Sequence, residues 1–131
     1  MVLIIRIEGI NINKVAFITG FAGFIGFHLS NYLLSHDWKV IGLDAITDYY
    51  DVNLKKSRHR ILKKKNNFYG YVGFVQDNEL LENIYNIHKP NIIIHLAAQA
   101  GVRYSIDNPA SYVEANLLGT FHILEMARKY K

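Results

Sequence analysis

Three evenly spaced glycines constrain this 131-residue chain more than any other feature. Gly20, Gly23 and Gly26 lie within "FITGFAGFIGFHL", where an apolar run over 14–19 ends and a helical pattern over 23–36 begins. A glycine at the end of a strand permits a tight turn with φ values closed to other residues. A glycine inside the helix lets helix and strand pack closely. We therefore predict a strand, a tight turn and a helix in close contact.

The first N–H groups of such a helix, together with its dipole, favour an anion such as a pyrophosphate. The spacing G-x-x-G-x-x-G is one residue longer than the usual dinucleotide fingerprint, and glycines also mark plain turns, so the motif alone leaves both interpretations open. Asp44 ends a second apolar run, 24 residues after Gly20. A carboxylate there can accept hydrogen bonds from an adenosine ribose and favours NAD over NADP. The alternative is a turn residue at a strand end.

Apolar runs and helical patterns alternate along the rest of the chain. This order favours parallel strands joined by right-handed crossovers, with helices on both faces of the sheet. We predict an α/β fold of the Rossmann type, a doubly wound parallel sheet that is incomplete, with about four strands in the order 3-2-1-4. The predicted strands are 14–19, 38–43, 68–75 and 91–96, and the predicted helices are 23–36, 51–65, 77–87 and 111–130.

Two predicted elements lack a covering partner. The run "NIIIHL" over 91–96 has the composition of a central strand but would lie at an open sheet edge. The helix over 111–130 would leave part of its apolar face uncovered. We therefore expect this chain to be the front part of a larger fold. The segment 14–131 is expected to form the nucleotide-binding domain, and residues 1–13 remain an unassigned extension.

Composition excludes several classes of protein. The chain has no cysteine, which excludes disulfides and thiolate metal sites, and we expect no metal. No apolar run is long enough to span a bilayer, so we expect no membrane partner and a cytoplasmic protein. The formal charge of +4 comes from seven basic residues within 55–65. We interpret this segment as a solvated face, with nucleic-acid binding as the alternative.

Four segments in the correct order carry a family resemblance: "TGFAGFIG", "GLDAITDYYDVNLKKSR", "IIIHLAAQAGVRYSIDNPASYVEANLLGT" and "ILEMAR". Together they resemble the extended short-chain dehydrogenase/reductase family, and within it the nucleotide-sugar epimerases that act on UDP-glucuronate at C4. The resemblance covers about residues 14–131. It implies NAD as the cofactor and a nucleotide sugar as the substrate. The residues it implies at the cofactor are Gly20, Gly23, Phe24, Ile25, Gly26, Asp44, Leu96, Ala97, Ala98, Gln99 and Asn116.

Two residues within the resemblance keep two interpretations. Asn116 lies near the cofactor in the family, but it could equally be a buried amide that only fixes packing. Arg103 could bind a sugar carboxylate or phosphate, or form an ordinary loop salt bridge. His95, in an apolar strand, is interpreted as structural.

The sequence also departs from the family. Phe74 or Val75 stands where relatives place an aspartate that binds adenine, and Ala45 stands where an asparagine often follows the ribose-binding acid. The family's Ser/Thr and its Tyr-x-x-x-Lys pair lie beyond the long helix, so no residue here is assigned a catalytic role. We expect the chain to be inactive alone and to meet a nucleotide-sugar substrate only when a catalytic half completes it. The expected protein partners are a second copy in a homodimer or a second polypeptide. The alternative is a non-catalytic remnant or interaction module that no longer binds cofactor.

Overall fold

The computed structural model describes residues 2–6 and 14–130, which form a five-stranded sheet with helices on both faces. The strands are β1 (Leu3–Arg6), β2 (Val15–Thr19), β3 (Lys39–Asp44), β4 (Phe68–Val72) and β5 (Ile92–His95). The helices are α1 (Phe24–Leu34), α2 (Val52–Lys63), α3 (Asn78–His88), α4 (Tyr104–Asp107), α5 (Pro109–Tyr112), a π-helical segment (Val113–Leu118) and α6 (Gly119–Lys129).

The four strands predicted from the sequence are parallel and lie in the predicted order. β3 pairs with β2 and β4, and β2 pairs with β5, so the spatial order is β4-β3-β2-β5. All five residues of β2 are buried. A strand in this position contacts helices on both faces, which explains why its sequence is apolar throughout.

Two apolar clusters lie on opposite faces of the sheet. One contains Phe17 and Ile41 and is covered by residues of α3 and α6, such as Leu81 and Ile123. The other contains Ile18 and Val40 and is covered by residues of the glycine turn and of α1 and α2. The prediction of helices on both faces is confirmed.

The expected open edge at β5 does not exist, and the expected count of about four strands was wrong. β1 pairs antiparallel with β5, with Leu3 opposite His95 and Arg6 opposite Ile92. An apolar strand buried on both faces leaves unpaired N–H and C=O groups at its free edge, and the apolar residues 3–5 supply the missing partner. Part of the segment that the sequence left unassigned therefore belongs to the sheet, whereas residues 1 and 7–13 lie outside the described part.

The helix predicted over 111–130 begins earlier, at Pro109, and contains a π-helical segment. Gly119 N–H donates to the carbonyl of Glu114, five residues back. A Cβ at Gly119 would lie 2.5 Å from Val75 Cγ2, so the helix passes close to the core at this point. As expected, its apolar face is partly uncovered, with Leu117 and Phe121 both more than half exposed.

The remaining boundaries differ from the predictions by a few residues. β4 ends at Val72, three residues before the predicted end, and Gly73 N–H makes one more ladder bond to the carbonyl of Asp44 (3.1 Å). Asp51 caps α2, since its Oδ1 accepts from Asn53 N–H (2.8 Å). Within residues 2–6 and 14–130, no helix combines the length and the apolar character that crossing a membrane requires.

Candidate cofactor site

The turn after β2 brings the first glycine against the loop after β5. Gly20 has φ +77°, and its N–H donates to the carbonyl of Leu43 (2.7 Å). A Cβ here would lie 2.9 Å from the Ala97 nitrogen and 3.0 Å from the Leu96 carbonyl carbon. Both the positive φ and this backbone contact exclude a side chain. The tight turn predicted at Gly20 is confirmed.

The third glycine allows α1 to start directly against this turn. A Cβ at Gly26 would lie 2.8 Å from the Gly20 carbonyl carbon, a backbone atom that cannot give way. Gly23 caps α1, and the side chains of Phe24 and Ile25 are exposed. The helix N-terminus, whose first N–H groups have no acceptor within the helix, therefore lies beside the turn.

Asp44 holds its carboxylate beside the same turn. It ends β3, and its Oδ2 accepts from Ala22 N–H (3.0 Å) while Oδ1 accepts from Ile46 N–H (2.8 Å). Each carboxylate oxygen can accept a further hydrogen bond. The carboxylate is therefore oriented by backbone groups and can still bind a hydroxyl.

A buried hydrogen-bond chain supports the loop after β5. Thr19 Oγ1 accepts from Leu96 N–H and Ala97 N–H (3.1 Å each) and lies 2.6 Å from His95 Nδ1, and His95 Nε2 lies 3.1 Å from Thr120 Oγ1. Because Thr19 Oγ1 accepts two bonds, its hydroxyl donates to His95. Burial lowers the pKa of His95 to about 4, so the ring is neutral. This is the structural role predicted for His95.

Asn116 anchors the end of the same loop. Its Oδ1 accepts from Gln99 N–H (2.7 Å), and its Nδ2 donates to the Gln99 carbonyl (3.0 Å). Asn116 does not line the cavity described below. These contacts match the interpretation of Asn116 as an amide that fixes packing.

These elements enclose a cavity of about 220 Å³ at the carboxyl ends of the strands. Complete pockets for drug-sized ligands measure roughly 300–1,000 Å³, so the cavity is one part of a larger site. Of the residues named from the sequence, it brings together Gly20, Gly23, Asp44, Leu96, Ala97, Ala98 and Gln99. Phe24, Ile25, Gly26, Asn116 and the exposed Arg103 do not line it. We call Gly20, Gly23 and Leu96–Gln99 the glycine wall.

Lys55 lines the cavity too, and the sequence reading missed it by assigning it to a solvated basic face. It is only 5% exposed. Its Nζ donates to the Thr47 carbonyl (2.7 Å) and lies 4.1 Å from the centre of the Tyr50 ring. Burial lowers the pKa of Lys55, and the nearby Asp44 opposes that shift. The spacing along α2 indicates this burial, because Lys55 lies seven residues before the buried Leu62 on the same face of the helix.

The segment after β4 forms the other side of the cavity. Gly73, Phe74, Val75 and Gln76, which we call the β4 loop, all line it. The Phe74 side chain is 52% exposed, whereas Val75 is 6% exposed and belongs to the core. Both residues line the cavity, but only Phe74 has a side chain exposed enough to reach a ligand, so a carboxylate of the family's kind would fit at position 74.

One Tyr-x-x-x-Lys spacing does occur in the chain, at Tyr85 and Lys89, although such a pair is expected only beyond the long helix. Tyr85 stacks on Tyr130 with ring centres 3.8 Å apart, on α3 and away from the cavity. Burial raises the pKa of Tyr85, the opposite of what a general base requires. Lys89 follows the helix in a left-handed conformation (φ 45°). The pair has no catalytic geometry. No group of three potential metal ligands occurs in residues 2–6 and 14–130.

Comparison with known proteins identifies the family. A family model described as GDP-mannose 4,6 dehydratase matches residues 17–131. The chain belongs to this family of NAD-dependent epimerases and dehydratases.

Among curated relatives, the "Probable UDP-glucuronate 4-epimerase" of Rhizobium meliloti is 49% identical over 111 residues, which are 85% of this chain and 33% of the relative. UDP-glucuronate 4-epimerase 4 of Arabidopsis thaliana is 43% identical over 111 residues, which are 85% of this chain and 25% of that protein. The chain thus spans a third or less of the length of these two relatives.

Solved structures share the fold. The Bacillus cereus UDP-glucuronic acid 4-epimerase, in complex with UDP-glucuronic acid and NAD, superimposes with a TM-score of 0.74 at 30% identity. The match covers 89% of this chain and 37% of that one. A Bacillus anthracis dTDP-glucose 4,6-dehydratase in complex with NAD gives a TM-score of 0.71 at 31% identity, covering 89% and 34%.

Proposed function

We propose that this chain is the NAD-binding part of a nucleotide-sugar epimerase of the UDP-glucuronate 4-epimerase type. The observation that carries the proposal is the contact between Gly20 and the Leu96–Ala97 backbone, with the Asp44 carboxylate beside it. A turn without side chains lets a ligand come close to the backbone, next to the free N–H groups at the start of α1. That arrangement fits a pyrophosphate, and the carboxylate fits a ribose.

The chain's own residues would then hold the cofactor in three places. The backbone N–H groups of the first turn of α1, at Phe24, Ile25 and Gly26, would bind the pyrophosphate, and the glycine wall would leave room for it beside that turn. Asp44 would accept from the adenosine ribose, and its charge would repel a 2′-phosphate. The loop 96–99, fixed by Thr19 and Asn116, would orient the nicotinamide end. When bound, NAD supplies the hydride transfer, and the protein supplies binding and orientation.

Catalysis falls outside the residues of this chain. No side chain along the cavity forms the Tyr–Lys pair that the family uses, and the matched relatives are about three times as long. We propose that a catalytic half, in a second polypeptide or a longer form of this one, completes the site and brings the nucleotide sugar. We propose in addition that residues 14–131, together with β1 at the edge of β5, form a Rossmann-type domain to which this half adds the catalytic and substrate-binding residues.

The second candidate is a remnant that keeps the fold without the cofactor. Phe74 and Ala45, which both line the cavity in place of polar residues of the family, favour it. The two candidates differ in one quantity, the affinity of the folded chain for NAD.

Calorimetric titration of NAD and NADP measures that affinity, with the Asp44→Ala variant beside the parent chain. The exposed Asp48→Ala variant is the matched control for loss of a nearby carboxylate. We expect saturable binding of NAD and weaker binding of NADP. Asp44→Ala should lose roughly tenfold or more in NAD affinity, because hydrogen bonds to charged groups contribute about 1.5–3 kcal/mol. Asp48→Ala should bind NAD with unchanged affinity. No NAD binding by a chain shown to be folded by circular dichroism would contradict the proposal and leave the remnant.

A further inference from the structure

The β4 loop is held in a fixed position next to Asp44. Gly73 N–H donates to the Asp44 carbonyl (3.1 Å), and Asp77 N–H donates to the Phe74 carbonyl (3.2 Å). Asp77 in turn caps α3, because its Oδ1 accepts from Leu80 N–H (3.0 Å). A base attached to a ribose at Asp44 would therefore lie against this loop.

The loop offers such a base one hydrogen-bonding side chain. Of its four residues, Gly73, Phe74 and Val75 carry no polar side-chain atom, so Gln76 alone can read a polar edge. The exposed ring of Phe74 forms an apolar surface beside it. Aromatic rings of this kind stack on nucleobases without selecting among them.

Gln76 also has a polar atom without a partner. Its Oε1 is buried and accepts no hydrogen bond from any atom of residues 2–6 and 14–130. A buried acceptor without a donor costs about 1–3 kcal/mol, and such groups are rare in folded proteins. The side chain as a whole is half-buried and lines the cavity, and its terminal torsion has a broad, twofold profile. The amide oxygen can therefore turn toward a ligand in the cavity.

We propose that Gln76 reads the adenine of NAD by accepting a hydrogen bond from its exocyclic 6-amino group, while Phe74 packs against the base. This inference rests on the proposed function. The acceptor that the family supplies by a carboxylate at position 74 is supplied here by an amide two residues later. Base selectivity then depends on a neutral side chain. A 6-oxo purine presents an acceptor where adenine presents a donor, so it binds less well, because the amide must first turn its Nε2 toward the base.

The test compares NAD with nicotinamide hypoxanthine dinucleotide, which carries the 6-oxo group, by calorimetric titration. For the parent chain we expect about tenfold tighter binding of NAD, which corresponds to about 1.4 kcal/mol, the size of one net hydrogen bond. Gln76→Leu, which keeps the bulk and removes the acceptor, brings the ratio close to one. Gln76→Glu, which can only accept, keeps or raises the ratio. Asn78→Ala, an exposed amide two residues further on, leaves the ratio unchanged.

The outcomes separate this inference from the proposed function. NAD binding with a ratio near one in the parent, or an unchanged ratio in Gln76→Leu, overturns the role of Gln76 and leaves NAD binding intact. A ratio that falls to one in Gln76→Glu also overturns it. No binding of either dinucleotide by the folded parent overturns both. Circular dichroism of each variant confirms that the comparison is made between folded chains.

Discussion

The glycine wall and the β4 loop face the same cavity, but the first presents backbone atoms to it and the second presents side chains. In the glycine wall, backbone atoms contact backbone atoms, and a Cβ at Gly20, or at Gly26 directly behind the wall, would collide with main chain. In the β4 loop, side chains form the surface, and Phe74 is half exposed. Steric exclusion leaves no alternative residue at Gly20 and Gly26. The second region tolerates substitution, and there the chain departs from the family.

The largest expected effect would break the glycine wall. In Gly26→Ala the new Cβ must push α1 away from the Gly20 backbone, so we expect a loss of about 3 kcal/mol in unfolding free energy, at the upper end for overpacking, and no measurable NAD binding. Urea denaturation measures the first quantity and calorimetry the second. Gly23→Ala is the control, because its Cβ would lie 3.2 Å from the nearest atom, and it loses less than about 1 kcal/mol. Equal stability of Gly26→Ala and the parent would refute the close packing described here.

The support beneath the glycine wall predicts a pH dependence. His95 has a pKa of about 4 when folded, below its ordinary value of 6.5, so the unfolded chain takes up the proton first as pH falls. Its stabilising contribution is complete above pH 6.5 and is lost as the pH falls toward 4, and the loss is roughly 2–3 kcal/mol by pH 4.5. Denaturation between pH 7 and 4.5 measures this loss. His95→Gln can still accept from Thr19 and does not titrate, so its loss of unfolding free energy between pH 7 and 4.5 should be smaller by that amount. Equal losses in the variant and the parent would rule out a buried neutral His95.

The far end of the glycine wall depends on Asn116. In Asn116→Ala, the half-buried N–H and C=O of Gln99 lose both of their side-chain partners, so we expect about 2 kcal/mol less stability. Thermal or urea unfolding tests this. The exposed Asn66→Ala changes stability by less than about 0.5 kcal/mol and serves as the control. A loss for Asn116→Ala as small as that of the control would mean that these two hydrogen bonds do not hold the loop.

The smallest expected effect concerns the β4 loop. Phe74→Asp restores the family's acceptor at position 74. Because this position is half exposed, the free energy of unfolding should change by less than about 0.5 kcal/mol. NAD should bind about fivefold tighter, which corresponds to about 1 kcal/mol of binding free energy. Phe121→Asp, at a similarly exposed phenylalanine on α6, leaves NAD affinity unchanged. The gain should be larger in a Gln76→Leu background, where no other acceptor remains. Weaker NAD binding in Phe74→Asp would show that the aromatic surface matters more than the acceptor.

The contrast also explains which parts of the structure the sequence predicts. Gly20, Gly26 and Asp44 are constrained by local backbone geometry, and their spacing along the chain places them correctly. The alternation of elements favours parallel strands, and the Rossmann-type fold then supplies the order of the four. The pairing of β1 with β5 was missed, because antiparallel pairing across some 90 residues depends on which edge is free and leaves no local pattern.

Side-chain contacts between distant elements were harder to predict. Lys55 looked like one of seven surface cations, and only the packing of α2 against the Thr47–Tyr50 loop buries it. The unpartnered oxygen of Gln76 has no signature in the sequence at all. Asn116 was found by resemblance, but its contact is with the Gln99 backbone and not with the cavity.

The central claim is that one ligand, NAD, binds across both regions. A ¹⁵N–¹H correlation spectrum of this 15.1 kDa chain, recorded during NAD titration, tests it residue by residue. The account predicts that the amides of Gly20–Gly26, Leu96–Gln99 and Gly73–Gln76 shift together and fit a single dissociation constant, whereas the exposed amides at the end of α2 do not move. Shifts confined to the basic end of α2, or no shifts near Gly20 at millimolar NAD, would contradict it.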